Sequence, residues 1–586
     1  MAGRKALIAV LVFFGVLIVI GVTLMIMLVG KPLEIKEGTF LVVSLGGPLP
    51  EESSGFFDMP FLEKQQITVR DVLDCLDKAK SDRRIKGIVL RVSPFDFGWS
   101  KTEEVRNKLA WFKKASGKPV VTYFTTGGDK EYFLASACGK VYMPEASDLV
   151  IDGLVSEVTF LRGTFDKLGI TPDMEHIGIY KSASDMLTQK TFTEAHREVT
   201  NAMLDDAFKR LADGIAEARG FTPDEVRKII DSGPYTAAEA VKAGLVDSLI
   251  YEDEIHTLLG VKDEDDFRTV ALEDYVRARP VALKVARGPK IAIIYAVGTI
   301  ATGKSSYSAV WGKTLGSETL VEAIESAMDD KDVKAIILRI DSPGGDGLAS
   351  DFIWREVSLA EKKKPFIASM SDVAGSGGYY IAMAADTIVA EPGTLTGSIG
   401  LISGKFVTKG FEEKLGMNTE MVTRGTNAAM FSPTRPFTPA ERRKLLEQMW
   451  EWYTSFVRKA AEGRRMKEDQ VDSVARGRVW TGSQALGIKL VDELGGLERA
   501  VEIAKAKAGI PKDAPVTFTI YPKRKGTLFQ RMIRRFSSES SLGVAATGAI
   551  NGLPADLRNA LLAVQAQKAM RAGEPYYLMP YRVEIK

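Results

Sequence analysis

The strongest feature of the hydropathy pattern lies at the start of the chain. Ala6 to Val29 is a run of 24 residues without a charge, preceded by Arg4 and Lys5 and closed by Lys31-Pro32. As a helix it rises about 36 Å, enough for a hydrocarbon core of roughly 30 Å. The run ends in Met27-Leu28-Val29-Gly30, which lacks the small residues of a signal cleavage site. The pattern therefore predicts a transmembrane anchor over 6–29. The basic residues within 1–5 place the N-terminus in the cytoplasm and the body on the far side of the membrane. No second stretch approaches spanning length.

Beyond the anchor, short β-branched runs alternate with longer segments of helical spacing. Ile291-Ala292-Ile293-Ile294-Tyr295 and Ala335-Ile336-Ile337-Leu338-Arg339 are near-continuous apolar runs, the mark of strands buried on both faces. Leu320 to Met328 and Asp351 to Ala360 have helical spacing, and Pro365-Phe366-Ile367-Ala368 reads as the next strand. Strand–helix–strand order predicts parallel sheets covered by helices, an α/β architecture.

The pattern also repeats. Ile85-Lys86-Gly87-Ile88-Val89-Leu90-Arg91-Val92 matches Val333-Lys334-Ala335-Ile336-Ile337-Leu338-Arg339-Ile340. Phe192-Thr193 matches Phe437-Thr438, Tyr235-Thr236 matches Trp480-Thr481, and Leu245-Val246-Asp247 matches Leu490-Val491-Asp492. The body therefore reads as two related halves, 38–260 and 290–508, joined by a linker at 261–289 and followed by an extension, 509–586. Composition changes this picture little. A formal charge of +2 over 586 residues, with 26% charged, argues against nucleic acid as the main partner. The two cysteines, Cys75 and Cys138, have no metal spacing and read as buried thiols on helices.

The chemistry should lie where the halves differ. Half two carries Asp341-Ser342-Pro343-Gly344-Gly345 after a strand, and later Ala374-Gly375-Ser376-Gly377-Gly378-Tyr379-Tyr380 leading into a helical run. A serine there can attack a carbonyl while the Gly377 amide and one near Gly344-Gly345 stabilise the oxyanion. Either loop alone is as well explained by a serine capping a helix. Half one, however, places Asp129 opposite Ser376 and has Val92-Ser93-Pro94-Phe95-Asp96 in place of the glycine loop, so the fold itself does not demand the Ser-Gly-Gly sequence. A base is needed, and the three histidines, His176, His196 and His256, all lie in half one without a triad motif. Lys181, in Gly178-Ile179-Tyr180-Lys181-Ser182-Ala183, is the alternative, and its counterpart in half two is Thr426. A buried lysine can lose its proton and serve as a base.

At these residues the chain resembles the signal peptide peptidase A family in its long bacterial form with two fused repeats. Asp341 to Gly345, Gly375 to Tyr379, Thr394-Leu395-Thr396-Gly397-Ser398-Ile399-Gly400 and Tyr180-Lys181-Ser182 carry the resemblance. It implies two tandem crotonase-like (ClpP-like) repeats, with Ser376 as nucleophile, Lys181 as general base and Ser398 orienting the lysine. Gly377, Gly344 and Gly345 would form the oxyanion hole, and no metal or cofactor is required. It further implies a homotetramer in the inner membrane that cuts released signal peptides and other apolar peptides, in the periplasm of a double-membraned bacterium. Two other readings share parts of the pattern: a crotonase-type acyl-CoA enzyme, and an inactive membrane scaffold. The basic amphipathic segment 523–536 reads either as a membrane-surface helix or as a helix packing on a neighbouring subunit.

Overall fold

The computed structural model describes residues 35–52, 66–278, 288–308, 312–522 and 576–578. The expected anchor at 6–29 and the basic segment 523–536 lie outside the described residues. Among the described residues, no helix is long and apolar enough to cross a membrane.

Two parallel sheets form the framework, and the halves build them in the same order. In half one the row runs Thr269–Ala271, Thr39–Gly47, Ile85–Phe95, Val120–Phe124, Val141–Met143, Ser248–Leu249. In half two it runs Thr517–Tyr521, Lys290–Val297, Val333–Ser342, Phe366–Gly375, Thr387–Ala390, Glu493–Leu494. The first strand of each row corrects the sequence reading. Thr269–Ala271 and the helix Leu272–Arg277 fall inside the stretch read as a linker, and Thr517–Tyr521 inside the stretch read as an extension. A three-residue strand beside the charged run Asp263–Asp266 is too short to show a period, and its pairing with Thr39–Gly47 is a tertiary choice.

The central strands of half two carry near-continuous apolar runs because both of their faces are buried. Ile291, Ile293 and Tyr295 join one core cluster, while Ala292, Ile294 and Ala296 join another. The first cluster also contains Leu41, Val43, Ile88 and Leu90, so one apolar layer is shared between the halves. Within that shared region Arg339 is fully buried. Its guanidinium donates to both carboxylate oxygens of Glu51 at 2.9 Å and to Glu104 at 2.5 Å.

The repeated motifs turn out to do local work twice. Thr193 caps the helix Glu194–Arg219 by accepting from the His196 amide, and Thr438 caps Pro439–Arg464 by accepting from the Glu441 amide. Tyr132 Oη donates to Leu245 O at 2.6 Å, and Tyr379 Oη to Leu490 O at 3.0 Å. Cys75 sits on the helix Val69–Ser81 and Cys138 in the turn after Asp129–Ser136, not on a helix; both are buried free thiols.

Candidate active site

The halves meet through a strand exchange that carries the lysine into half two. Thr171–Ile177 of half one pairs antiparallel with Leu401–Val407 of half two, in register from Thr171 opposite Val407 to Ile177 opposite Leu401. The chain then turns through Gly178, and the Tyr180 amide donates to Arg476 O at 2.9 Å. Glycine is required on both sides of this junction. Gly178 has φ +106°, and a Cβ there meets the Arg476 carbonyl carbon at 2.3 Å. Gly477 has φ +81°, and its Cβ meets Lys181 Cβ at 2.5 Å. Tyr180 adds a clasp, its hydroxyl donating to Glu198 at 3.1 Å while Arg478 pairs with Glu198 and lies over the Tyr180 ring.

Lys181 is thereby buried completely, as are Ser376 and Ser398. Its Nζ lies 2.7 Å from Ser376 Oγ, 2.9 Å from Ser398 O and 3.0 Å from Ser398 Oγ. Burial, with no anion to offset it, holds the amine well below the ordinary lysine value. A neutral amine presents a lone pair, so this contact can draw the proton from Ser376 Oγ.

Ser376 precedes the helix Gly377–Ala382 but does not cap it with its side chain. Its φ of 56° is unusual for a residue with a Cβ, and Ser398 is similarly placed at φ 51°. Both are held by backbone bonds, Ser376 N–H to Gly397 O at 2.8 Å and Ser398 N–H to Arg478 O at 2.7 Å. Such strain persists where the surroundings over-determine it, and it collects at working sites. Here it frees Ser376 Oγ from capping and turns it toward the lysine.

The glycine loops pack directly on one another. A Cβ at Gly377 meets Gly344 Cα at 3.0 Å and Gly345 N at 3.1 Å. The Gly344 amide already donates to Ser342 Oγ at 3.2 Å. Of the two loop amides, that of Gly345 is therefore the better placed to act together with Gly377. The strand Tyr576–Leu578 lies against this loop, antiparallel to Gly344–Asp346.

The histidines are engaged elsewhere. His176 Nδ1 lies 3.0 Å from Gly178 O, His256 Nδ1 lies 2.8 Å from Val261 O, and His196 lies 3.5 Å from Asp185. Gly477, Arg478, Glu198 and Ser342 were not among the candidates from sequence. Gly477 offered a weak signal, as a glycine between two arginines in a polar loop; the others offered none.

A family model described as peptidase family S49 matches residues 112–264 and again 358–511, once in each half. The chain is also 39% identical over 490 residues to the chloroplastic serine protease SPPA of Arabidopsis thaliana, covering 83% of this chain and 71% of that one. The chain belongs to peptidase family S49. It is likewise 30% identical over 461 residues to protease 4 of Salmonella typhi, covering 76% of this chain and 73% of that one. Among solved structures it is similar to a variant of the 1510-N membrane-bound stomatin-specific protease in complex with a substrate peptide. That match has 14% identity and TM-score 0.25, over 43% of this chain and 98% of that one. ClpP1 from Listeria monocytogenes matches at 14% identity and TM-score 0.22, over 36% and 94%. As an S49 member with two repeats, the chain is a serine peptidase, which displaces the acyl-CoA reading.

Proposed function

We propose that this S49 peptidase is a membrane-anchored endopeptidase working with a Ser376–Lys181 dyad on released signal peptides and other apolar, unfolded peptides. The observation that carries the reading is the 2.7 Å contact between Lys181 Nζ and Ser376 Oγ, both fully buried. Neutral Lys181 takes the serine proton as Oγ attacks the peptide carbonyl, and Ser398 keeps the amine aimed. The amides of Gly377 and the Gly344-Gly345 loop hold the oxyanion. The protonated lysine then gives its proton to the leaving amine, and water resolves the acyl-enzyme. The chemistry needs no cofactor.

The anchor at 6–29 places the body at a bilayer surface, where apolar peptides concentrate; the location we propose is the bacterial inner membrane, with the body in the periplasm. Assembly as a ring, a homotetramer, is supported by an unfilled half of the internal junction. The half-two counterpart of Thr171–Ile177 is residues 416–422, which are exposed and form no strand, Val422 being 89% exposed. The half-one counterpart of Leu401–Val407 lies around residues 154–160, where Val155 is 50% exposed. Pairing the first of these on one copy with the second on the next repeats the junction head to tail, and such interfaces close into rings.

The test is hydrolysis of an unstructured apolar peptide by wild type, Ser376→Ala and Lys181→Ala, with circular dichroism to confirm folding. Both variants should be inactive while folded. Near-wild-type turnover by Lys181→Ala would place the base elsewhere and end the dyad reading.

A further inference from the structure

The strand that leads to the nucleophile turns a corner just before it. Ile340 stands opposite Met370 and Ser342 opposite Ala374, so Ser371, Asp372 and Val373 face the single residue Asp341. At this bulge Phe366–Gly375 changes partner. Ile367 to Met370 pair with Thr387–Ala390, whereas Val373 to Gly375 pair with Leu395–Gly397. Bulges beside active sites re-aim the residues that follow them. Here those residues are Ser376, just past the end of one strand, and Ser398, just past the end of its new partner.

All three residues of the corner are held from half one, the third through Asp341. Ser371 Oγ donates to Glu51. The Asp372 carboxylate accepts from the amides of Gly98 at 2.9 Å and Lys101 at 3.0 Å, at the start of the helix Trp99–Ser116. The Val373 amide donates to Asp341 Oδ1 at 3.3 Å, and Asp341 Oδ2 accepts from Lys101 Nζ at 2.7 Å. The same ammonium lies 3.4 Å from Asp372. Because Asp341 leads into Ser342 and the Gly344-Gly345 loop, Lys101 bridges the strand of the nucleophile and the strand of the oxyanion loop. The matching position in half two has no such side chain. There the helix Gly347–Glu361 is capped by its own Asp346, which accepts from the Ala349 amide at 2.6 Å. Gly98 stands where Asp346 does, and Lys101 where Ala349 does. The half-one helix has no side-chain cap of its own and takes Asp372 from the other half. Lys101 is only 7% exposed. Burial opposes its charge, but Asp341, Asp372 and Glu51 outweigh burial and hold the ammonium above the ordinary lysine value. It is a fixed cation, the reverse of Lys181.

We infer that Lys101 is a positioning residue for the peptidase reaction: from half one it pins Asp341 and Asp372, and with them the corner that aims Ser376 and the strand that carries the oxyanion loop. The inference rests on Ser376 being the nucleophile. Without the ammonium, two carboxylates face each other at the corner and repel. The bulge then opens, and Ser376 Oγ and the Gly344-Gly345 amides leave the geometry that attack requires. A misplacement of about 1 Å at such positions costs roughly a hundredfold in rate. The loss falls on the chemical step and not on peptide binding.

The experiment compares the full chain as wild type, as Lys101→Met, and as Lys101→Met combined with Asp341→Asn. Hydrolysis of an unstructured apolar peptide and the rate of fluorophosphonate labelling are both scaled to the folded fraction from circular dichroism. Lys101→Met should lower kcat roughly tenfold or more, with KM within about twofold of wild type. Labelling should slow in parallel, because the probe reports the aim of Ser376 without a bound peptide. A purely structural ion pair would lower the melting temperature and leave kcat and labelling per folded molecule unchanged; that result overturns the inference. So does a rise in KM alone, which would make Lys101 a contact to the peptide. If Lys101→Met does not fold, the double variant decides. Its asparagine still accepts from the Val373 amide and removes one of the two facing carboxylates, so it should fold. Turnover below wild type then supports the pin, and wild-type turnover overturns it. Ser376→Ala keeps the two readings apart. Loss of turnover and labelling in that variant upholds the nucleophile whatever Lys101→Met shows, whereas labelling that survives it defeats the dyad reading instead.

Discussion

Replacing Lys181 with methionine should abolish turnover while changing stability in a pH-dependent way that reports the buried amine. An unfolded lysine titrates near about 10.4, and burial holds the folded Lys181 well below that. Between the two values the unfolded chain binds a proton that the folded chain does not, so the stability of the wild type rises with pH across that window. Each pH unit below the ordinary value at which Lys181 stays neutral costs about 1.4 kcal/mol of folding free energy. Against this stand three hydrogen bonds, to Ser376 Oγ, Ser398 O and Ser398 Oγ, worth about 1 kcal/mol each. The cost overtakes the bonds once neutrality spans more than about two units. Methionine removes both contributions and keeps a long unbranched side chain in the slot. The assay is urea unfolding of both proteins, followed by tryptophan fluorescence between about pH 7 and about pH 10. The stability of the variant relative to the wild type should fall by up to about 1.4 kcal/mol per unit as pH rises through the window. Parallel curves would refute the neutral buried lysine, because they mean that Lys181 titrates alike in the folded and unfolded chains.

The same amine governs turnover: kcat/KM should fall along an acid limb as Lys181 gains a proton, and a rate that does not fall at any acid pH at which the protein stays folded removes it as the base. Ser398→Ala removes the 3.0 Å bond to Nζ but leaves the carbonyl bond at 2.9 Å; kcat should drop roughly tenfold or more with KM little changed, read from initial rates. Gly477→Ala puts a methyl 2.5 Å from Lys181 Cβ at φ +81°, so it should displace the base and lower stability by about 1–3 kcal/mol, seen as lost activity together with a lower melting temperature. Arg339→Leu leaves Glu51 and Glu104 facing each other without their cation; it should cost roughly 3–5 kcal/mol in thermal unfolding, and wild-type stability would show that those carboxylates are protonated in the variant.

The contrast between the halves is legible in sequence because each chemical group is missing from one of them: Asp129 replaces the serine and Thr426 replaces the lysine. Two related halves built on parallel sheets are legible too, where strands are long and buried on both faces, as Lys290–Val297 and Val333–Ser342 are. What cannot be read is anything fixed by pairing across the halves. Thr171-Pro172-Asp173-Met174-Glu175-His176-Ile177 has neither a period nor strand-like composition, and it is a strand because Leu401–Val407 lies beside it. The same holds for Gly477, whose missing side chain matters only because Lys181 arrives there from half one. The two chemical residues are 195 positions apart, and one strand of the junction that unites them, Thr171–Ile177, has no strand-like sequence of its own. Its integrity should therefore be reported by activity before stability: a substitution that loosens the pairing of Thr171–Ile177 leaves both cores packed but withdraws the amine from Ser376. Duplication followed by complementary loss thus makes the interface between the halves, rather than either half, the unit that carries the chemistry.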